Sequence, residues 1–350
     1  MAVAAFGKLQ LRPGDTPGVE RIRLDNTEFE GRNSVYLFRG ERTVLVDTGL
    51  AQPAIREQLR AKLADRGLGV ADLDAVLLTH WHADHAGLVG EFQAEGGVEV
   101  YAHPGDADLA GRDPDAETDL EAIQDRTFDA WGMPDDERAE LLAFLETHDD
   151  AAGVPAEITP LADGEEIRAG DETLRAVHTP GHTEGHLCYV RPDGSVLSGD
   201  ALLPKYTPNV GGADPRMESP LAAYVETLRW ITESEFERAY PGHRDPIDDP
   251  AGRAREILDH HRERTGRVYE YLSGAGPADA WTVSAHLFGS LEGIHIFHGP
   301  GEAYAHLSHL LEHDILAREE DGVGGSGKES VKYRVVDENP DLDALFPRFQ

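Results

Sequence analysis

Through the first 245 residues, short apolar runs alternate with turn signals. "SVYLFRG" (34–40) and "RTVLVDTG" (42–49) read as two strands joined by a tight "GER" turn. Apolar residues at helical spacing over 53–67, closed by Gly67, predict a helix. "LDAVLLTH" (73–80) and "GVEVYAHP" (97–104) predict buried strands. Residues 116–150 predict two helices broken near Gly132-Met133-Pro134. Strands are expected again over 172–179, 187–200 and 236–243. Strands interleaved with helices point to a layered α/β domain.

The pattern then changes. Residues 249–274 place Ala254, Leu258, His261, Val268 and Leu272 on one stripe, which predicts a long amphipathic helix. Two further helical stretches follow, over 280–291 and 301–317. A Gly-rich segment at 321–327 reads as a hairpin tip, and 330–336 as a strand. Two helices and a hairpin resemble a winged-helix module. The expected division is therefore 1–248 and 249–350.

A length of 350 residues with 40% hydrophobic residues suits a folded chain with a sizeable core. No apolar run approaches the ~20 residues of a membrane span. The start, "MAVAAFGKLQLRPGD", lacks a basic leader and a cleavage signal, so a cytoplasmic location without membrane contact is expected. The lone cysteine, Cys188, rules out an internal disulfide framework and a Cys-rich zinc module, and reads as a buried small hydrophobe. Any metal must be held by histidines and carboxylates.

Charge alters the picture further. The formal net charge is -34, from 66 acidic against 32 basic residues, of which only five are lysines. Such a surface repels nucleic acid and anionic membranes at ordinary salt. In molar salt the Debye length shrinks to about 3 Å, and abundant carboxylates then keep a protein hydrated. A halophilic protein is the expectation, and on that reading net charge says little about the substrate.

"THWHADHAGL" (79–88) carries the chemistry. His80 and His82 are two apart at the end of an expected strand, where i and i+2 side chains share a side and can grip one ion. Asp84 and His85 follow where the chain turns away, free to face a second position. Three later stretches supply partners: "VHTPGHTEGH" aims His182 from a Pro-Gly turn, "VLSGD" ends a strand at Asp200, and "AYPGH" repeats the turn at His243. Together they make seven N/O ligands, with Asp200 suited to bridge two cations.

In these motifs and their order the chain resembles the metallo-β-lactamase-fold hydrolases over about residues 20–250. The resemblance implies a four-layer αββα sandwich with a small C-terminal helical domain added. It implies that His80, His82 and His182 hold a first metal, that Asp84, His85 and His243 hold a second, and that Asp200 bridges them. Asp47 in "VDTG" matches a position beneath the metals that organises them without ligating. His103, His178 and His186 read as packing or hydrogen-bonding residues nearby. His306, His309 and His313 share a helical face expected at the solvent boundary.

All-N/O ligation fits two Zn²⁺ ions first, with Mn²⁺ or Fe²⁺ as alternatives. Two ions ~3.5–4 Å apart would generate a bound hydroxide near neutral pH, with Asp84 orienting it. "HTPGHTEGHLCYV" resembles the glyoxalase II-like thioesterases, which favours a thioester or ester as small-molecule substrate. The C-terminal module is similar to the lactamase-β-like subgroup, so an endoribonuclease or phosphodiesterase is an alternative. A mononuclear iron persulfide dioxygenase and a non-enzymatic nucleic-acid-binding regulator are others. Nucleic acid is not the favoured partner, because the C-terminal segment is acidic; homodimerisation through it is an alternative role. In "LLPKYTPNVGG", Lys205, Tyr206, Thr207 and Asn209 are candidates to reach the substrate, Lys205 as an anion contact.

The charge reading makes a direct prediction. Raising KCl from ~0.1 M to molar levels should raise the thermal unfolding midpoint followed by circular dichroism. A midpoint unmoved or lowered by salt would remove the halophilic interpretation.

Overall fold

The computed structural model describes residues 18–27, 31–147, 149–319 and 330–349. The N-terminal stretch and the Gly-rich segment 321–327 discussed above lie outside them. Six strands lie side by side in chain order: Glu20–Arg23, Ser34–Phe38, Val44–Val46, Ala75–Leu77, Glu99–Ala102 and Thr159–Pro160. The first three pair antiparallel; from Val44–Val46 onward the pairing is parallel. A second sheet orders its five strands Arg238–Pro241, Ser195–Gly199, Leu187–Val190, Glu172–His178 and Glu166–Ala169.

Period-two alternation separates the layers. Tyr36, Phe38, Val44, Val46, Ala75 and Leu77 face Leu174, Ala176, Leu187, Tyr189, Leu197 and Tyr240 in one cluster between the sheets. The intervening residues Val35, Leu37, Leu45 and Val76 face outward, where Ile55, Leu59 and Leu63 of helix Pro53–Ala64 cover them. On the far side, Cys188, Val196 and Ala239 pack beneath Leu221, Tyr224 and Leu228 of helix Pro220–Glu233. Helix, sheet, sheet, helix is the four-layer α/β sandwich expected. Central strands buried on both faces have no polar side, and they are read from near-continuous apolar runs. Helix Pro220–Glu233 was not among the expected elements, although its buried residues follow helical spacing.

Residues 114–146 form two helices, Pro114–Trp131 and Asp135–Glu146, split at Gly132, whose φ of 78° suits glycine as a helix terminator. The C-terminal region contains helices Pro250–Ala275, Ala280–Phe288 and His295–Glu312 and the antiparallel pair Leu316–Glu319 with Lys332–Val335. Helix Pro250–Ala275 packs Ala254, Ile257 and Leu258 against the second sheet's outer layer. Its later residues Val268 and Leu272 join Phe128, Trp131, Leu141, Phe297 and Leu307 in a separate core.

One expectation is corrected here. His306 and His309 are buried, not at a solvent boundary; only His313 of that face is exposed. The long helix and the C-terminal segment cover them: His306 Nδ1 lies 2.7 Å from Thr265 Oγ1, and the His309 ring lies 5.5 Å from that of Phe346. Covering elements distant in sequence leave no mark on a helix's own periodicity. Cys188 is fully buried as expected, and burial pushes its thiol up to about 12.

The inter-sheet cluster sets a stability test. Leu197→Ala should cost ~2–5 kcal/mol in denaturant unfolding, because the rigid sheets cannot close the void. A loss under ~1 kcal/mol would mean the layers are loosely packed there.

Candidate metal centre

The site lies beyond the ends of Ala75–Leu77, Ser195–Gly199 and Arg238–Pro241, where the chain leaves both sheets. His80 and His82 are not on extended strand: the strand ends at Leu77, and His82 caps the single-turn helix Ala83–Ala86, which carries Asp84 and His85. The two rings still meet, His80 Nε2 lying 3.0 Å from His82 Nδ1. His182 Nε2, delivered by the Pro180-Gly181 turn, lies 3.1 Å from the same His82 Nδ1. Donor atoms of His80, His82 and His182 thus converge on one point.

Asp84, His85 and His243 form a second converging trio. His243 Nε2 lies 3.3 Å from Asp84 Oδ2 and 3.3 Å from Asp200 Oδ2. Asp200 stands between the trios, 3.6 Å from His85 Nε2 and 3.8 Å from His182 Nε2. The seven side chains named from the motifs are therefore gathered in one cluster.

Each imidazole turns one nitrogen inward because the other is committed elsewhere, the arrangement that orients metal-binding histidines. His82 Nε2–H donates to the Ala213 carbonyl at 2.9 Å, and His182 Nδ1–H to the Asn209 carbonyl at 2.9 Å. His243 Nδ1–H donates to the Gly31 carbonyl. His85 Nδ1–H donates to Asp47 Oδ2 at 2.9 Å. Asp47 also accepts from the Thr79 backbone N–H and hydroxyl, both at 2.8 Å, and that hydroxyl is 3.1 Å from His80 Nδ1. It takes a left-handed φ of 61°, strain of ~1–3 kcal/mol that the surrounding bonds must hold in place. Asp47 thus lies under the cluster and orients His85, and through Thr79 it orients His80.

The titration tendencies divide between the trios. Burial and the neighbouring imidazoles push His80 well below its ordinary value, and burial takes His82 down to about 4. The first trio is neutral and ready to ligate. In the second, burial alone would lower His85, but Asp200, Asp84 and Asp47 together raise it to about 9. Burial alone would raise Asp84 and Asp200, but the facing histidines outweigh it and hold both well below the carboxylate range.

Metal ions fit this arrangement. His85 Nε2, His243 Nε2 and Asp200 Oδ1 are buried without a hydrogen-bond partner, a costly state unless an ion engages them. A Cβ at Gly242 would come within 2.4 Å of Asp200 Oδ1 and 2.6 Å of the His85 ring, so only glycine leaves the cradle open.

Several supporting residues were not read from the sequence. Asn33 Nδ2 donates to Asp84 Oδ2 at 3.2 Å from a position 51 residues earlier. His186, by contrast, reads in the sequence as a packing or hydrogen-bonding residue near the site, and it accepts the Asp200 backbone N–H at 3.1 Å. Arg216 pairs with the buried Asp106 and Asp214, which accept the Gly185 and Glu184 backbone N–H groups and so hold the turn after His182. No local spacing flags any of these; Arg216 and Asp214 are one polar stretch among many. His103 and His178 stack on each other, 4.0 Å between centroids, away from the converging donors. Of the loop candidates, Asn209 lines the metal cavity, whereas Lys205 and Tyr206 line a larger one beside it.

The model of the metallo-beta-lactamase superfamily matches residues 28–243, and the chain belongs to that superfamily. It is 28% identical over 316 residues to the probable metallo-hydrolase YqjP of Bacillus subtilis, covering 87% of this chain and 94% of that one. It is 27% identical over 244 residues to an Atrochrysone carboxyl ACP thioesterase of Emericella nidulans, covering 69% of this chain and 61% of the other. A crystal structure of a metallo-beta-lactamase family protein from Thermus thermophilus superposes with a TM-score of 0.76 at 32% identity, covering 92% and 99% of the two chains. The chain is a metal-dependent hydrolase of this superfamily. Among the described residues no helix is long and apolar enough to cross a membrane.

Asp47→Ala removes the partner of His85 and Thr79. Metal affinity, measured by titrating the metal-free protein calorimetrically, should fall ~10–100-fold. Unchanged affinity would show that Asp47 does not orient the cluster.

Proposed function

We infer that the chain hydrolyses a thioester or ester at a pair of divalent ions, zinc being the first choice for an all-N/O set. The observation that carries this reading is the pair of converging donor trios sharing Asp200. His80, His82 and His182 would hold one ion, Asp84, His85 and His243 the other. Bound there, such ions supply Lewis acidity and lower the pKa of a water.

The chain's own residues account for the remaining requirements. The metal cavity, about 190 Å³, is walled by Trp81, Leu145, Ile294 and Phe297 opposite the polar cluster. That apolar wall suits an acyl group and excludes bulk water from the reacting carbonyl. Asp84, held ionised by His85 and His243 and tied by Asn33, would orient the attacking water. Hydrolysis bonds the water oxygen to the acyl carbon, breaks the C–S or C–O bond, and leaves the departing thiol or alcohol with a proton. The thioesterase among the relatives and the apolar wall favour acyl chemistry over cleavage of a nucleic-acid backbone.

Elemental analysis should find two divalent ions per chain, and a panel of acyl thioesters and esters should be turned over in a chelator-sensitive manner. His82→Ala and Asp84→Ala should abolish turnover while circular dichroism stays native. Activity retained in a metal-loaded variant would sink the assignment. One iron per chain with oxygen uptake on a persulfide, or RNA cleaved while thioesters are not, would replace it with another chemistry.

A further inference from the structure

A cavity of about 810 Å³ adjoins the metal cavity, and Asn209, Ile294 and His298 line both. Its lining is unusual for a chain of net charge -34, since it includes Lys205, Arg244, Arg253 and Arg264. Arg253 pairs with Glu256, and Arg264 with Glu302. Lys205 and Arg244 have no carboxylate partner among the described residues; both lie against the ring of Tyr206, at 5.2 Å and 4.7 Å from its centroid. A smaller cavity of about 260 Å³ shares Lys205 and Arg244 and adds Arg32, together with Arg23 and its partner Asp245 at 3.7 Å. Two uncompensated cations, with more behind them, form a local positive surface on a strongly acidic protein.

This surface is built, not incidental. Arg244 directly follows His243 and adopts a left-handed φ of 66°. Its backbone is clamped: its N–H donates to the Arg32 carbonyl, and its own carbonyl accepts from Arg21 and Ser34. Arg253 pins the facing loop by donating to the Leu203 and Tyr206 carbonyls at 2.7 and 2.9 Å. Between the cations and the metal cluster sits Asn209. Its Nδ2 donates to the His298 carbonyl, and its backbone carbonyl holds His182. Its Oδ1 is buried without a partner, an acceptor waiting for a donor.

We propose that this cavity holds the leaving-thiol arm of the substrate, a chain whose amide N–H meets Asn209 Oδ1 and whose phosphate lies between Lys205 and Arg244. The proposal rests on the thioester reading above. A phosphate matches both cations, through the guanidinium fork and the ammonium point charge, where a single carboxylate neutralises one. Phe288, Leu291 and Ile294 offer the intervening methylenes an apolar wall. A small anion needs only this patch, whereas a nucleic-acid strand would extend over surface whose acidic excess repels it. Phosphopantetheine, carried by a nucleotide or by a protein, is the arm with this chemistry.

The test compares acyl-coenzyme A, acyl-4′-phosphopantetheine, acyl-pantetheine and S-acylglutathione as substrates. It also measures calorimetric binding of the uncleavable thioethers S-methyl-coenzyme A and S-methyl-pantetheine. Both phosphorylated thioesters should exceed acyl-pantetheine by ~10–100-fold in kcat/KM, chiefly through KM, since a desolvated charge-assisted contact is worth that much. A further preference for coenzyme A over phosphopantetheine would identify a nucleotide-borne arm, and equality a protein-borne one. The double variant Lys205→Ala/Arg244→Ala should bring the ratio to near one, while Arg229→Ala, an exposed helix arginine paired with Glu226, should not change it. If no thioester is cleaved but S-methyl-coenzyme A binds and the double variant abolishes that binding, the thioester reading fails and the anion site stands. If thioesters are cleaved with no phosphate preference, if S-acylglutathione is preferred, or if a short RNA competes more tightly than S-methyl-coenzyme A, the proposal is overturned.

Discussion

Four buried imidazoles, the half-buried His82 and two buried carboxylates, gathered in one cluster, cannot be stable by hydrogen bonding alone. The fold deals with their outer atoms: the Ala213, Asn209 and Gly31 carbonyls, together with Asp47 and Thr79, take every outward-facing ring nitrogen of the five. The inner atoms are left facing one another, and the second trio keeps ionised carboxylates opposite histidines raised above their ordinary range. His85 Nε2 and His243 Nε2 nevertheless stay buried without a hydrogen-bond partner. The arrangement is complementary to cations, and the layers around it hold it open.

The sandwich supplies rigidity and the connecting segments supply ligands, as in other folds that place chemistry beyond strand ends. The C-terminal region participates in the site. Ile294, Phe297 and His298 wall the metal cavity beside Leu145 from the split helices, and one core joins these elements to the long helix. The walls of the metal cavity are thus shared between the hydrolase layers and a region that reads in sequence as a separate appendage.

Much of the site was legible because its residues come in short motifs. His80, His82, Asp84 and His85 lie within six positions, and His182, Asp200 and His243 each follow a turn or a strand end. The element pattern was legible wherever strands were continuously apolar or a glycine ended a helix, as at Gly132. What escaped was non-local: Asn33 beneath Asp84, Arg216 bracing the turn after His182, Arg244 facing Lys205, and the covered face of His306 and His309. Each depends on a partner many residues away, and neither spacing nor propensity encodes such pairings.

The sequence by itself determined the candidate donors, their order and the layered class, because ligand chemistry and apolar periodicity are local properties of a chain. It also implied the absence of thiolate ligation, through its single cysteine. Only the tertiary structure decided which nitrogen of each histidine faces inward, that Asp200 stands between two trios, and that two cations without a carboxylate partner among the described residues adjoin them in an acidic protein. Those are relations between segments on different sheets and helices. They exist only once burial has brought the segments together and left certain polar atoms without partners.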